Sequence, residues 1–121
     1  MPHDPETEKL LDAAKRAYAG GDKPGAATLA RHVLLRRPGD ATALQILGVV
    51  ALDTGDAASA RPHLEASNAA RPNAVTLNMI GVAAGRLGDA AAARAAFTRA
   101  GKMGVPAFTA RQIADWLYRK R

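Results

Sequence analysis

The sequence predicts an all-α protein built from stacked helical hairpins, and three observations carry that expectation. Alanine occurs 29 times in 121 residues; it is the strongest helix former and its small side chain lets helix backbones approach closely. The pair Gly-Asp recurs at Gly21-Asp22, Gly55-Asp56 and Gly88-Asp89, spaced by 34 and 33 residues. Prolines stand at Pro38, Pro72 and Pro106, each 34 residues after the last. Two independent kinds of punctuation share one period, and a period of that length marks a stacked repeat architecture.

The elements follow in order. Residues 1–5 carry no helical pattern and are expected to be disordered. The first unit, about 6–39, opens with Leu10, Ala13, Ala14 and Ala17 at helical spacing, turns at Gly21-Asp22 and continues with Ala26 and Ala30 to Pro38. A second unit, about 40–73, repeats the design with Leu44, Leu47, Gly48 and Ala51, then Ala60 and Leu64. The third, about 74–106, has Leu77, Ile80, Gly81 and Ala84, then Ala93 and Phe97. In each unit apolar residues three and four apart bury one helix face. The glycine permits a left-handed backbone at the helix end, and the aspartate accepts from N–H groups that open the next helix. Pro62 falls inside the second helix of its unit, where it removes a donor and crowds the preceding turn, so a late start or a bend is expected there. Residues 107–119 are expected to form a seventh helix, with Ala110, Ile113, Ala114 and Leu117 on one face. It reads as a cap that covers the apolar side of the last repeat.

These residues resemble the tetratricopeptide repeat, whose signature runs W-x2-L-G-x2-Y, A-x3-F and P over about 34 residues. The middle unit has Leu44-x2-Leu47-Gly48-x2-Ala51, Ala60-x3-Leu64 and Pro72; the third has Leu77-x2-Ile80-Gly81-x2-Ala84, Ala93-x3-Phe97 and Pro106. The first unit is weaker, with small residues throughout. The resemblance implies an α-solenoid of three such hairpins plus the capping helix, seven helices wound into a right-handed superhelix, in one domain spanning 6–121. Small residues replace the family's large aromatics, so each helix interface should bury less apolar area.

The net charge of +6 is concentrated toward the C-terminus, but charge alone does not identify a partner. Nucleic acid is an unlikely partner, because the basic tail Arg119-Lys120-Arg121 has neither an aromatic platform nor a second basic cluster. There is no cysteine, which excludes disulfides and thiolate metal sites. No stretch approaches the roughly 18 apolar residues of a membrane span, so a cytoplasmic protein without membrane insertion is expected. His3, His32 and His63 lie in different segments without a second ligand at helical spacing, so no metal is expected. Ser59 and Ser67 have no base placed to activate them. Glu8 and Asp12 suit a solvated face near a helix N-terminus. The glycine-rich Gly20–Gly25 stretch lacks the Gly-Lys-Ser/Thr of a phosphate loop. The reading is of a protein that is not an enzyme and needs no cofactor.

In tetratricopeptide arrays the first helices line a concave groove that takes a partner's peptide or helix. Transferred by resemblance, that groove comprises Glu8, Leu11, Lys15 and Tyr18, then Thr42, Gln45, Val49, Leu52 and Asp53, then Val75, Asn78, Val82 and Arg86. Gln45 and Asn78 would hydrogen-bond a peptide backbone, while Tyr18, Val49, Leu52 and Val82 accept apolar side chains. An adaptor function follows. The repeats that hold chaperone C-termini are not matched at Leu11, Lys15, Ile46, Val75 or Met79, so chaperone-tail binding is not expected. Two alternatives remain: self-association into a homo-oligomer through Phe108 and Trp116, which otherwise act as lids on the stack, or service as the recruitment segment of a larger bacterial enzyme or assembly.

Overall fold

A computed structural model describes residues 4–104. They form six α-helices and no strand: α1 (Pro5–Ala19), α2 (Lys23–Arg36), α3 (Ala41–Asp53), α4 (Ala57–Ala70), α5 (Ala74–Arg86) and α6 (Ala90–Lys102). The expected seventh helix at 107–119, with Phe108 and Trp116, lies outside the described residues.

Each helix starts on a short polar side chain. Asp4, Asp22, Asp40, Asp56, Asn73 and Asp89 are the six N-caps, and each accepts from a backbone N–H of the first turn that has no partner within its helix. Asp4 caps α1 and helical structure begins at Pro5, so residues 4 and 5 are ordered where disorder is expected from the sequence; residues 1–3 lie outside the described residues. The odd-numbered helices share one stop. Gly21, Gly55 and Gly88 adopt φ of 89°, 88° and 83°. The N–H of the aspartate that follows each glycine donates back to Ala17, Ala51 or Ala84 at 2.8, 2.8 and 2.9 Å. This six-residue closure satisfies carbonyls the helix end leaves open, and the same aspartate then caps the next helix. Helices α2 and α4 end differently, at Arg37-Pro38 and Arg71-Pro72, where proline forbids another helical turn. The late start expected from Pro62 does not occur. Helix α4 begins at Ala57 and runs through Pro62, and the carbonyl that loses its donor belongs to the exposed Ala58.

Packing within hairpins pairs small against large. A Cβ built on Gly48 of α3 would lie 2.5 Å from Leu64 of α4, and one on Gly81 of α5 would lie 2.6 Å from Phe97 of α6. In the first hairpin the corresponding positions are Ala14 and Ala30, both fully buried. The missing Cβ thus makes room for the larger side chain opposite, and where the opposite residue shrinks to alanine the glycine is not required.

Each helix packs against the next, and α3 also meets α1 on one side and α5 on the other. The even-numbered helices do not approach one another, and α1 does not reach α5 or α6. The result is an open row of hairpins whose odd helices lie side by side. Two apolar clusters run through it, one centred on α1, α2 and α3 and the other on α3 to α6, with Tyr18 packed against both. Among the described residues no helix is long and apolar enough to cross a membrane.

Candidate functional site

The side-by-side odd helices bring the expected groove residues onto one face, but most of them are used to hold that face together. Val49, Leu52 and Val82 are buried members of the larger cluster, at 5%, 0% and 1% exposure, and Asn78 is 1% exposed. Expected from the sequence to be accessible contacts, these four are sealed instead. The reason is that α3 lies side by side with α1 and α5, so apolar side chains on this face fill the seams between them. The Oδ1 of Asn78 is buried without a hydrogen bond. Leu11 is also buried.

The polar groove residues form ties between odd helices. Tyr18 on α1 donates to Asp53 on α3 at 2.7 Å. Gln45 on α3 donates to Thr76 on α5 at 2.9 Å. The Arg86 guanidinium on α5 donates to the carbonyl of Leu52 on α3 at 2.6 Å. Each bond joins consecutive repeats, so Tyr18, Gln45 and Arg86 are half-buried struts before they are contacts for a partner.

Accessible chemistry survives at the edge where α1 and α3 begin. A cleft of about 460 Å³ opens there. Glu8 and Lys15 line it from α1, Arg37 and Asp40 from the connection into α3, Thr42 from α3 and Arg71 from the end of α4. Its two arginines occupy corresponding places in successive repeats. Arg37 follows α2 and donates to Glu8 at 3.0 Å, and its other terminal nitrogen lies 3.6 Å from Asp40. Arg71 follows α4 and donates to Thr42 at 2.7 Å. Lys15 is exposed and makes no hydrogen bond or ion pair among the described residues. The sequence reading assigned no role to Arg37 or Arg71. A signal was present in the recurrence of Arg-Pro at Arg37-Pro38 and Arg71-Pro72, 34 residues apart.

A second cleft of about 420 Å³ lies on the opposite face, between α4 and α6, with Leu77, Ile80 and Ala96 as an apolar floor and Arg61, Glu65 and Arg99 at its rim. Arg61 bridges Glu65 on its own helix at 3.1 Å and Asp89 at 3.2 Å, and these two carboxylates hold its charged form more firmly than usual.

Three cap carboxylates sit below the ordinary aspartate range. The Thr7 hydroxyl is the main cause at Asp4, assisted by the Glu6 N–H. Ser59 lowers Asp56 through both its side chain and its backbone, and the Ala92 N–H followed by Arg61 lowers Asp89. All three favour the carboxylate because donors point at it. Among the described residues no three His, Asp or Glu side chains converge on a point that would hold a metal ion.

Comparison with known proteins adds no assignment: no protein-family model matches the chain, and no curated protein resembles it closely enough to count as a relative.

Proposed function

We propose that this chain is a tetratricopeptide-type array that serves as a non-catalytic adaptor, taking a peptide from a partner protein across the opening turns of α1, α3 and α5. The open row of hairpins supports the family reading, together with its Gly-Asp turns and the glycines facing Leu64 and Phe97. The cleft between α1 and α3 carries the functional reading, because it combines volume with side chains that the fold leaves accessible. Lys15 and Arg71 are exposed there and Thr42 is half-buried, while farther along α3 Gln45 is half-buried and on α5 Val75 is 44% exposed. This line is shorter than the groove expected from sequence and lies toward the start of α3, with Lys15 reaching it from the later half of α1 and Arg71 from the end of α4. Its residues are mostly polar, as suits a peptide held at a solvent-facing rim.

The test is selection of a display library of random linear peptides on the immobilised protein, followed by hydrogen exchange with a selected peptide bound. Protection is expected at the first turns of α1 and α3. Protection confined to α4 and α6 would move the site to the opposite cleft, and failure to retain any peptide over blank support would remove the adaptor reading.

A further inference from the structure

Of the two arginines that follow α2 and α4, one lacks the counter-charges that hold the other. In the first repeat Arg37 is held between two carboxylates, Glu8 from the opening turn of α1 and Asp40, the N-cap of α3. In the second repeat Arg71 stands in the same place, but the residue in the position of Glu8 is Thr42 and the N-cap in the position of Asp40 is Asn73. The cation is kept while both of its counter-charges are replaced by neutral hydrogen-bonding groups. Arg71 therefore has no carboxylate at ion-pair distance among the described residues, and its guanidinium satisfies one donor on a hydroxyl. Lys15, also without a counter-charge, lines the same cleft.

We infer that the cleft between α1 and α3 recognises acidic side chains of a partner peptide, with a carboxylate taking at Arg71 the place that Glu8 takes at Arg37. A guanidinium presents several N–H donors in a fixed fork suited to a carboxylate, and Lys15 adds a second positive charge to the same cleft. The inference rests on the adaptor reading and specifies its ligand. Charge excludes the nearer occupants. Residues 105–121 carry Arg111, Arg119, Lys120 and Arg121 against Asp115 alone, the wrong sign for a cationic cleft, and a second copy of a chain with net charge +6 is disfavoured on the same ground.

The experiment selects random linear peptides on the wild-type chain and measures the winners by fluorescence anisotropy against four variants. Winning sequences should be rich in Asp and Glu, and changing their acids to the matching amides should weaken binding about tenfold, as should raising the salt. Lys15→Gln and Arg71→Gln should each weaken binding about threefold to tenfold, whereas Arg71→Lys should retain part of it. Thr42→Glu is the sharpest variant. It rebuilds the carboxylate of the first repeat, so it should abolish the preference for acids while raising the thermal midpoint. Because Lys15 is exposed and makes no hydrogen bond or ion pair among the described residues, its variant reads binding even where an Arg71 substitution perturbs the helix end. Winners without acidic enrichment, or acidic winners that bind the variants as well as wild type, would overturn the inference and leave the adaptor intact. An oligonucleotide that displaces them at equal charge would overturn it in favour of general polyanion binding. Retention of no peptide at all would overturn both readings.

Discussion

A single methyl group decides how close two helices of a hairpin stand. Gly48 faces Leu64 and Gly81 faces Phe97, whereas Ala14 and Ala30 are both buried at the corresponding places in the first hairpin. Gly48→Ala should therefore destabilise by about 1–3 kcal/mol through overpacking, despite the better helix propensity of alanine. Leu64→Ala should cost about 2–5 kcal/mol through the cavity it leaves. Combined, the two substitutions reproduce the first hairpin and should cost clearly less than their sum in a denaturant titration; strict additivity would show that the pair does not share space. A hydrogen bond gives a second residue-level expectation. Tyr18→Phe removes the donor to Asp53, itself only 7% exposed, and should cost about 1–3 kcal/mol because a buried acceptor loses its partner. An unchanged unfolding midpoint would mean that water replaces the hydroxyl without loss.

At the scale of the helix, stability is linked to pH through the caps. Asp4, Asp56 and Asp89 have folded-state pKa values below their unfolded ones, so the carboxylate form is favoured by folding. Their contribution is complete above the ordinary aspartate value of about 3.9 and is lost as pH falls through the lowered folded values. The thermal midpoint should stay level from neutral pH to about pH 5 and decline below about pH 4. The triple change of Asp4, Asp56 and Asp89 to Asn keeps a capping oxygen that does not titrate, and should flatten the acid decline. An undiminished decline in that variant would locate the acid sensitivity elsewhere.

For the whole molecule, the open row predicts uneven stability. Among the described helices α3 touches α1, α2, α4 and α5, whereas α1 at the end of the row touches only α2 and α3. In an array whose repeats contact only their neighbours, an end can fray without disrupting the middle. Backbone amides of α3 should exchange most slowly and those of α1 much faster. Equal protection across the described helices would indicate one cooperative unit. The ties from Tyr18 to Asp53, Gln45 to Thr76 and Arg86 to Leu52 also cross repeat boundaries, so loss of Gln45 should reduce coupling between hairpins more than stability within either one.

Local chemistry written along the chain determined the helices and their turns. A glycine that tolerates positive φ, an aspartate that caps the next helix and a proline that stops a helix each act within a few residues, so Gly21-Asp22, Gly55-Asp56 and Gly88-Asp89 were legible before any packing was known. Accessibility was not legible. Whether Val49, Leu52, Asn78 and Val82 face solvent depends on how tightly α3 lies against α1 and α5, which is a balance among side chains distant in sequence. The same is true of charge: Asp40 stands three residues after Arg37 in the chain, but only the folded row brings Glu8 to Arg37 and Thr42 to Arg71. Tertiary packing thus decided which residues on the shared face became struts and left an uncompensated positive charge at its edge.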